Sequence, residues 1–155
     1  MIQSHQLDAS ILRFQNNPKY IDKLLDQLQT DQTLLIDILV GSHSELLTEE
    51  ELDYLLFLFL AIYDSFQQIA PIPVFDESTI IKAEEASWAI VNAHNAYDDM
   101  VEHFNKEIRE VEVIEFIDLS IAPDDENEIR ITDPGRLLML AVLSSLVRLL
   151  ESENN

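Results

Sequence analysis

The chain has 155 residues, 47% of them apolar, no cysteine, two glycines, and 30 acidic against 9 basic side chains, a formal charge of −21. That length suits one domain with its own core, while the lack of cysteine excludes disulfides, thiolate metal sites and thiol nucleophiles. Two isolated glycines, Gly41 and Gly135, exclude glycine-rich phosphate loops, and the acidic excess opposes direct binding of nucleic acid or an anionic membrane.

Residues Met1 to Gln15 carry no basic stretch followed by an apolar run, so no signal peptide is expected there. Ser4 is placed to cap a first helix over His5 to Gln15, with Leu7, Ile11, Leu12 and Phe14 as its apolar side. Asn17-Pro18 ends it and opens the next, since proline at the first helical position loses no needed donor. Tyr20, Ile21, Leu24, Leu25 and Leu28 recur at helical spacing, and Leu34 to Val40 forms a further short helix that Gly41 is placed to close.

Thr48-Glu49-Glu50-Glu51 reads as a capping box: the Thr48 hydroxyl and the Glu51 carboxylate each satisfy the other residue's backbone N–H. The helix it starts runs to about Ile69, ahead of Pro71 and Pro73, and is apolar around nearly its whole circumference. Its longest apolar run, Tyr54 to Tyr63, is too short to span a bilayer. A second long helix is expected from Ser78 to Arg109, with Ile90, Tyr97, Met100, Val101, Phe104 and Ile108 on one stripe and Trp88 on the other side. Glu110 to Ala122 is rich in valine and isoleucine. It reads either as more helix or as a strand of a small β-hairpin with Glu128 to Thr132, near 111–132. Asp133-Pro134 starts a last apolar helix, and Glu151 to Asn155 reads as a frayed tail. The expectation is a single all-α domain over 1–155, an antiparallel bundle of four main helices with short helices at its N-terminus.

No catalytic or cofactor signature is present, and no cofactor is expected. His94, Asp98 and Glu102 stand at four-residue steps, as do Asp99, His103 and Glu107. On one continuous helix each trio would stack three N and O groups, and the first is the candidate metal set. Di-metal bundles instead carry a Glu followed three residues later by His, and no such pair occurs here. Aligned from Asp124, the run Asp124 to Glu128 resembles the start of a calcium loop, with Asp124, Glu126 and Glu128 at its first, third and fifth positions. But Ile129 stands where that loop needs glycine and Gly135 where it needs a closing glutamate. Ser42-His43-Ser44 lacks the surrounding motif of a nucleophile.

The negative charge falls in blocks. Between Lys23 and Lys82 there are eleven acids and no base, and a second block surrounds the loop at Asp124. Such blocks create fields that speed association with a basic partner. The expected function is a non-enzymatic, acidic protein-binding module of the cytosol that docks a basic protein. Trp88, Glu49, Glu50, Glu51, Asp124, Asp125 and Glu126 are its candidate contact residues. The alternative is a metal-dependent bundle enzyme using His94, Asp98 and Glu102. Self-association into a homo-oligomer is a separate expectation, drawn from the doubly apolar helices and Trp88.

Overall fold

The computed structural model describes residues 1–123 and 129–152, and the fold is all-α. Its helices are α1 (Ser4–Asn16), α2 (Pro18–Asp31), α3 (Thr33–Leu39), α4 (Glu49–Gln67), α5 (Glu77–Ala93), α6 (Tyr97–Glu107), α7 (Val111–Ser120) and α8 (Asp133–Ser152). A 3-10 segment, Gly41–Leu46, links α3 to α4.

Helices α4 and α8 form the centre. From Leu138 to Leu150 every residue of α8 except Arg148 is buried, and in α4 everything from Leu58 to Phe66 is buried. This is the outcome expected for helices that are apolar all round: each must be covered on every side. Helix α5 packs along α8, α1 along α4, and α3 against α5. Arg136 lies over the Tyr97 ring at 3.4 Å, and Arg148 Nη2 lies 3.9 Å from Glu107. Because these contacts join start to start and end to end, α6 runs in the same direction as α8.

The capping box at Thr48 forms as read, with Glu51 N donating to Thr48 Oγ1 at 3.1 Å and Thr48 N to Glu51 Oε1 at 2.9 Å. Pro18 occupies the first turn of α2, and the Asp76 carboxylate caps α5 through the Thr79 N–H.

Five expectations need correction. Helix α1 is capped by Gln3 rather than Ser4, whose own N–H donates to Glu112 of α7 at 3.0 Å. Gly41 does not close α3, because no described glycine has positive φ and the chain continues into the 3-10 segment. The helix expected over 78–109 is two helices, broken at His94-Asn95-Ala96. Val111–Ser120 is helical, so the first strand of the expected hairpin is absent. Its valines and isoleucines serve the core instead: Val113, Ile114 and Ile117 are buried on one side of α7. Glu151 and Ser152 belong to α8 and not to a frayed tail, with Glu151 buried and accepting the Arg109 N–H, while 153–155 lie outside the described residues. No described helix is long and apolar enough to cross a membrane.

Candidate functional site

Two kinds of carboxylate emerge from the burial pattern. Four described acids are buried, Glu51, Asp64, Glu110 and Glu151, and each joins segments distant in sequence. Glu110 accepts the Ile2 N–H at 2.7 Å, and Glu151 accepts the Arg109 N–H at 2.9 Å. Besides closing the capping box, Glu51 Oε2 accepts the backbone N–H and the hydroxyl of Thr132, both at 2.9 Å, just ahead of α8. Burial alone would raise the Glu51 pKa, but the bonds from Thr48 and Thr132 outweigh it and hold the carboxyl below its ordinary value.

Asp64 has the richest set of partners and no exposed surface. Its carboxylate accepts from Arg13 Nη2 at 2.7 Å, Ser10 Oγ at 2.8 Å, the Tyr20 hydroxyl at 2.5 Å and Gln67 Nε2 at 3.1 Å. Burial again pushes its pKa up, and the bonds from Tyr20, Arg13, Gln67 and Ser10 bring it below the usual carboxylate range. The constellation ties α1, α2 and α4 together beside an open cavity of about 420 Å³ lined by Leu12, Arg13, Asn16, Asn17 and Tyr20. Gln68 Nε2 donates to Asp64 as well, at 3.3 Å. A carboxylate committed to donors from five residues and sealed from solvent is not available as an acid or base toward a substrate. One signal could have disclosed it: Asp64 directly follows the apolar run Tyr54 to Tyr63 on a helix that is itself central.

Most of the remaining described acids are exposed. Asp26, Asp31, Asp37, Glu45, Glu49, Glu50, Asp53, Asp76 and Glu77 are exposed, and all lie in the stretch without a base. They occupy α2, α3, the 3-10 segment and the starts of α4 and α5. The start of α4 meets the start of α8 through Glu51 and Thr132, whereas α5 runs opposite to α8, with Ala83 O against Ser145 Oγ, so its start lies toward the other end. The half-buried Trp88 of α5 stands at this surface, with the His43 ring 6.1 Å away. His43 Nε2 is 3.1 Å from Glu84 Oε2. Of the expected contact residues, Trp88, Glu49 and Glu50 are thus accessible, and Glu51 is buried and cannot face a partner. Asp124, Asp125 and Glu126 lie outside the described residues.

The expected metal trio assumed one continuous helix. With the break at 94–96, His94 sits just past the end of α5 and Asp98 in the first turn of α6. The partner that His94 does meet is His103, at 2.9 Å, and sequence spacing offered no route to that pairing. Among the described residues, no group of three or more His and carboxylate side chains is placed to hold a metal ion.

No protein-family model matches the chain, nor does any curated protein or solved structure.

Proposed function

We propose that this chain is a non-enzymatic docking module of the cytosol that binds a basic protein through the acidic surface around Trp88. The observation that supports this most is how the chain uses its few cations. Among the described residues, Lys106 pairs with Glu102, Arg109 with Glu151, Arg136 with Asp118 and Arg148 with Glu107, all outside the acidic stretch, and Arg13 pairs with the buried Asp64. None of the exposed, described acids between Lys23 and Lys82 pairs with a lysine or arginine; the one acid of that stretch that does, Asp64, is buried. The surface of α3, the 3-10 segment and the start of α4 therefore projects a field of one sign, which attracts and orients a lysine- or arginine-rich partner.

Trp88 supplies what charge alone lacks. A half-buried indole beside the His43–Glu84 pair can accept an arginine side chain on its face, and tryptophan is enriched where binding energy concentrates. A second copy of the chain suits this surface poorly, because it would bring like charges together. The lack of cysteine supports the cytosolic setting.

Charge reversal tests the reading. A variant carrying Asp37→Lys, Glu45→Lys and Glu85→Lys should lose most of the affinity of the wild-type chain for an arginine-rich peptide at low salt. A control carrying Asp8→Lys, Asp22→Lys and Glu115→Lys has the same net charge and should lose much less. Equal losses would reduce the attraction to net charge and remove the case for a docking surface.

A further inference from the structure

The break between α5 and α6 places two imidazoles in contact. His94 Nε2 and His103 Nδ1 are 2.9 Å apart, with the rings nearly perpendicular at 82°. They open onto a cavity of about 440 Å³ that Asp99, Glu102 and Lys106 also line. On its far side His103 Nε2 lies 3.2 Å from Glu107 Oε2, and Glu107 is steadied by Arg148 Nη2 at 3.9 Å.

This order of groups determines where the lone pairs go. A carboxylate only accepts, so the Glu107 contact assigns the proton of His103 to Nε2 and leaves a lone pair on Nδ1, which accepts from His94 Nε2–H at 2.9 Å. A carboxylate behind an imidazole is the arrangement that orients metal-ligating histidines and raises their basicity. Moving the His94 proton to Nδ1 exchanges that hydrogen bond for two lone pairs facing each other, which a cation seated between the rings would accept.

We propose that His94 Nε2 and His103 Nδ1 chelate a divalent late transition-metal ion such as Zn²⁺ or Cu²⁺, with Glu107 as the positioning residue behind His103. With metal–nitrogen bonds of about 2.0–2.1 Å, nitrogens 2.9 Å apart subtend roughly 90° at the ion. That is the angle of two neighbouring ligands in a square-planar or octahedral shell. Opening the pair by about half an ångström gives the tetrahedral angle that zinc prefers. Two protein ligands suffice for a chelate of this kind, with water completing the shell. The set takes one histidine from each of the two trios suggested by spacing, and Asp98 does not line the cavity.

Calorimetric titration with Zn²⁺, in excess Mg²⁺ to occupy the oxygen-rich surface, tests the site. Wild type should bind one equivalent. His94→Ala and His103→Ala should each weaken binding at least about tenfold, Glu107→Gln by about tenfold, and His43→Ala not at all. Electron paramagnetic resonance of the Cu²⁺-loaded wild-type chain needs no variant and should show two nitrogen ligands. Equal Zn²⁺ affinity in wild type, His94→Ala and His103→Ala, or an all-oxygen Cu²⁺ spectrum, would overturn the proposal.

Discussion

The carboxylate of Glu51 fills the space that a side chain on Gly135 would need. A Cβ built on Gly135 collides with Glu51 Oε2 and Cδ and crowds Thr132 Oγ1. The requirement for glycine is one of space and not of conformation, since Gly135 does not have positive φ. Through this approach one glutamate closes the start of α4 and, by way of Thr132, the start of α8. Gly135 N in turn donates to Thr132 Oγ1 at 3.1 Å.

Gly135→Ala is therefore expected to destabilise the fold by about 1–3 kcal/mol, the usual cost of overpacking a filled site. In a Glu51→Ala background the same change should cost much less, because the obstructing group is gone. Urea unfolding of the four proteins of this cycle checks it. Equal costs in both backgrounds would mean that the two residues are not coupled.

Asp64→Ala removes the shared acceptor of Arg13, Tyr20, Ser10 and Gln67. The loss should be about 3 kcal/mol, the lower end for broken buried pairs, because Arg13 keeps a solvent-facing side and rehydrates. Hydrogen exchange should show α1 and α2 loosening first, as they hang from α4 by this contact.

Acid should erode these two anchors. Asp64 and Glu51 both have pKa values lowered by folding. The stability they contribute is complete above the ordinary carboxylate range near about pH 4, and is lost as the pH falls through their lowered values. The exposed acids act in the opposite direction, since protonating them relieves repulsion. The clean readout is consequently the difference in unfolding free energy between wild type and Asp64→Asn, which should be largest near neutral pH and shrink toward pH 2. A difference constant with pH would show that Asp64 is not held ionised by the fold.

Salt should stabilise the chain. At a formal charge of −21 the folded surface repels itself, and raising ionic strength to about 0.15 M shortens the reach of that repulsion to about 8 Å. The melting temperature should rise between low and physiological salt, as followed by circular dichroism. A fall would indicate that the ion pairs outweigh the repulsion.

Helix starts were legible where local chemistry decides them. Thr48 with Glu51, Pro18 and Pro134 announce themselves within a few residues. The break at 94–96 was not legible, because His94-Asn95-Ala96 holds neither proline nor glycine and the contact that accompanies it comes from His103, nine residues on. The helical state of Val111–Ser120 was ambiguous because its β-branched residues suit either a strand or a buried helix face. Among the acids, sequence counted Asp64 and Glu51 as part of a surface charge block. Their partners Arg13, Tyr20 and Thr132 are 44 to 81 residues away, beyond any spacing argument.

The docking surface is tested most directly by titrating the isotope-labelled chain with an arginine-rich peptide and mapping backbone and Trp88 indole shifts at low and high salt. Shifts should concentrate on Asp37, His43, Glu45, Glu84, Glu85 and the Trp88 indole, and should vanish as salt is raised. Shifts spread evenly over the surface, or their absence at low salt, would contradict a dedicated site for a basic partner.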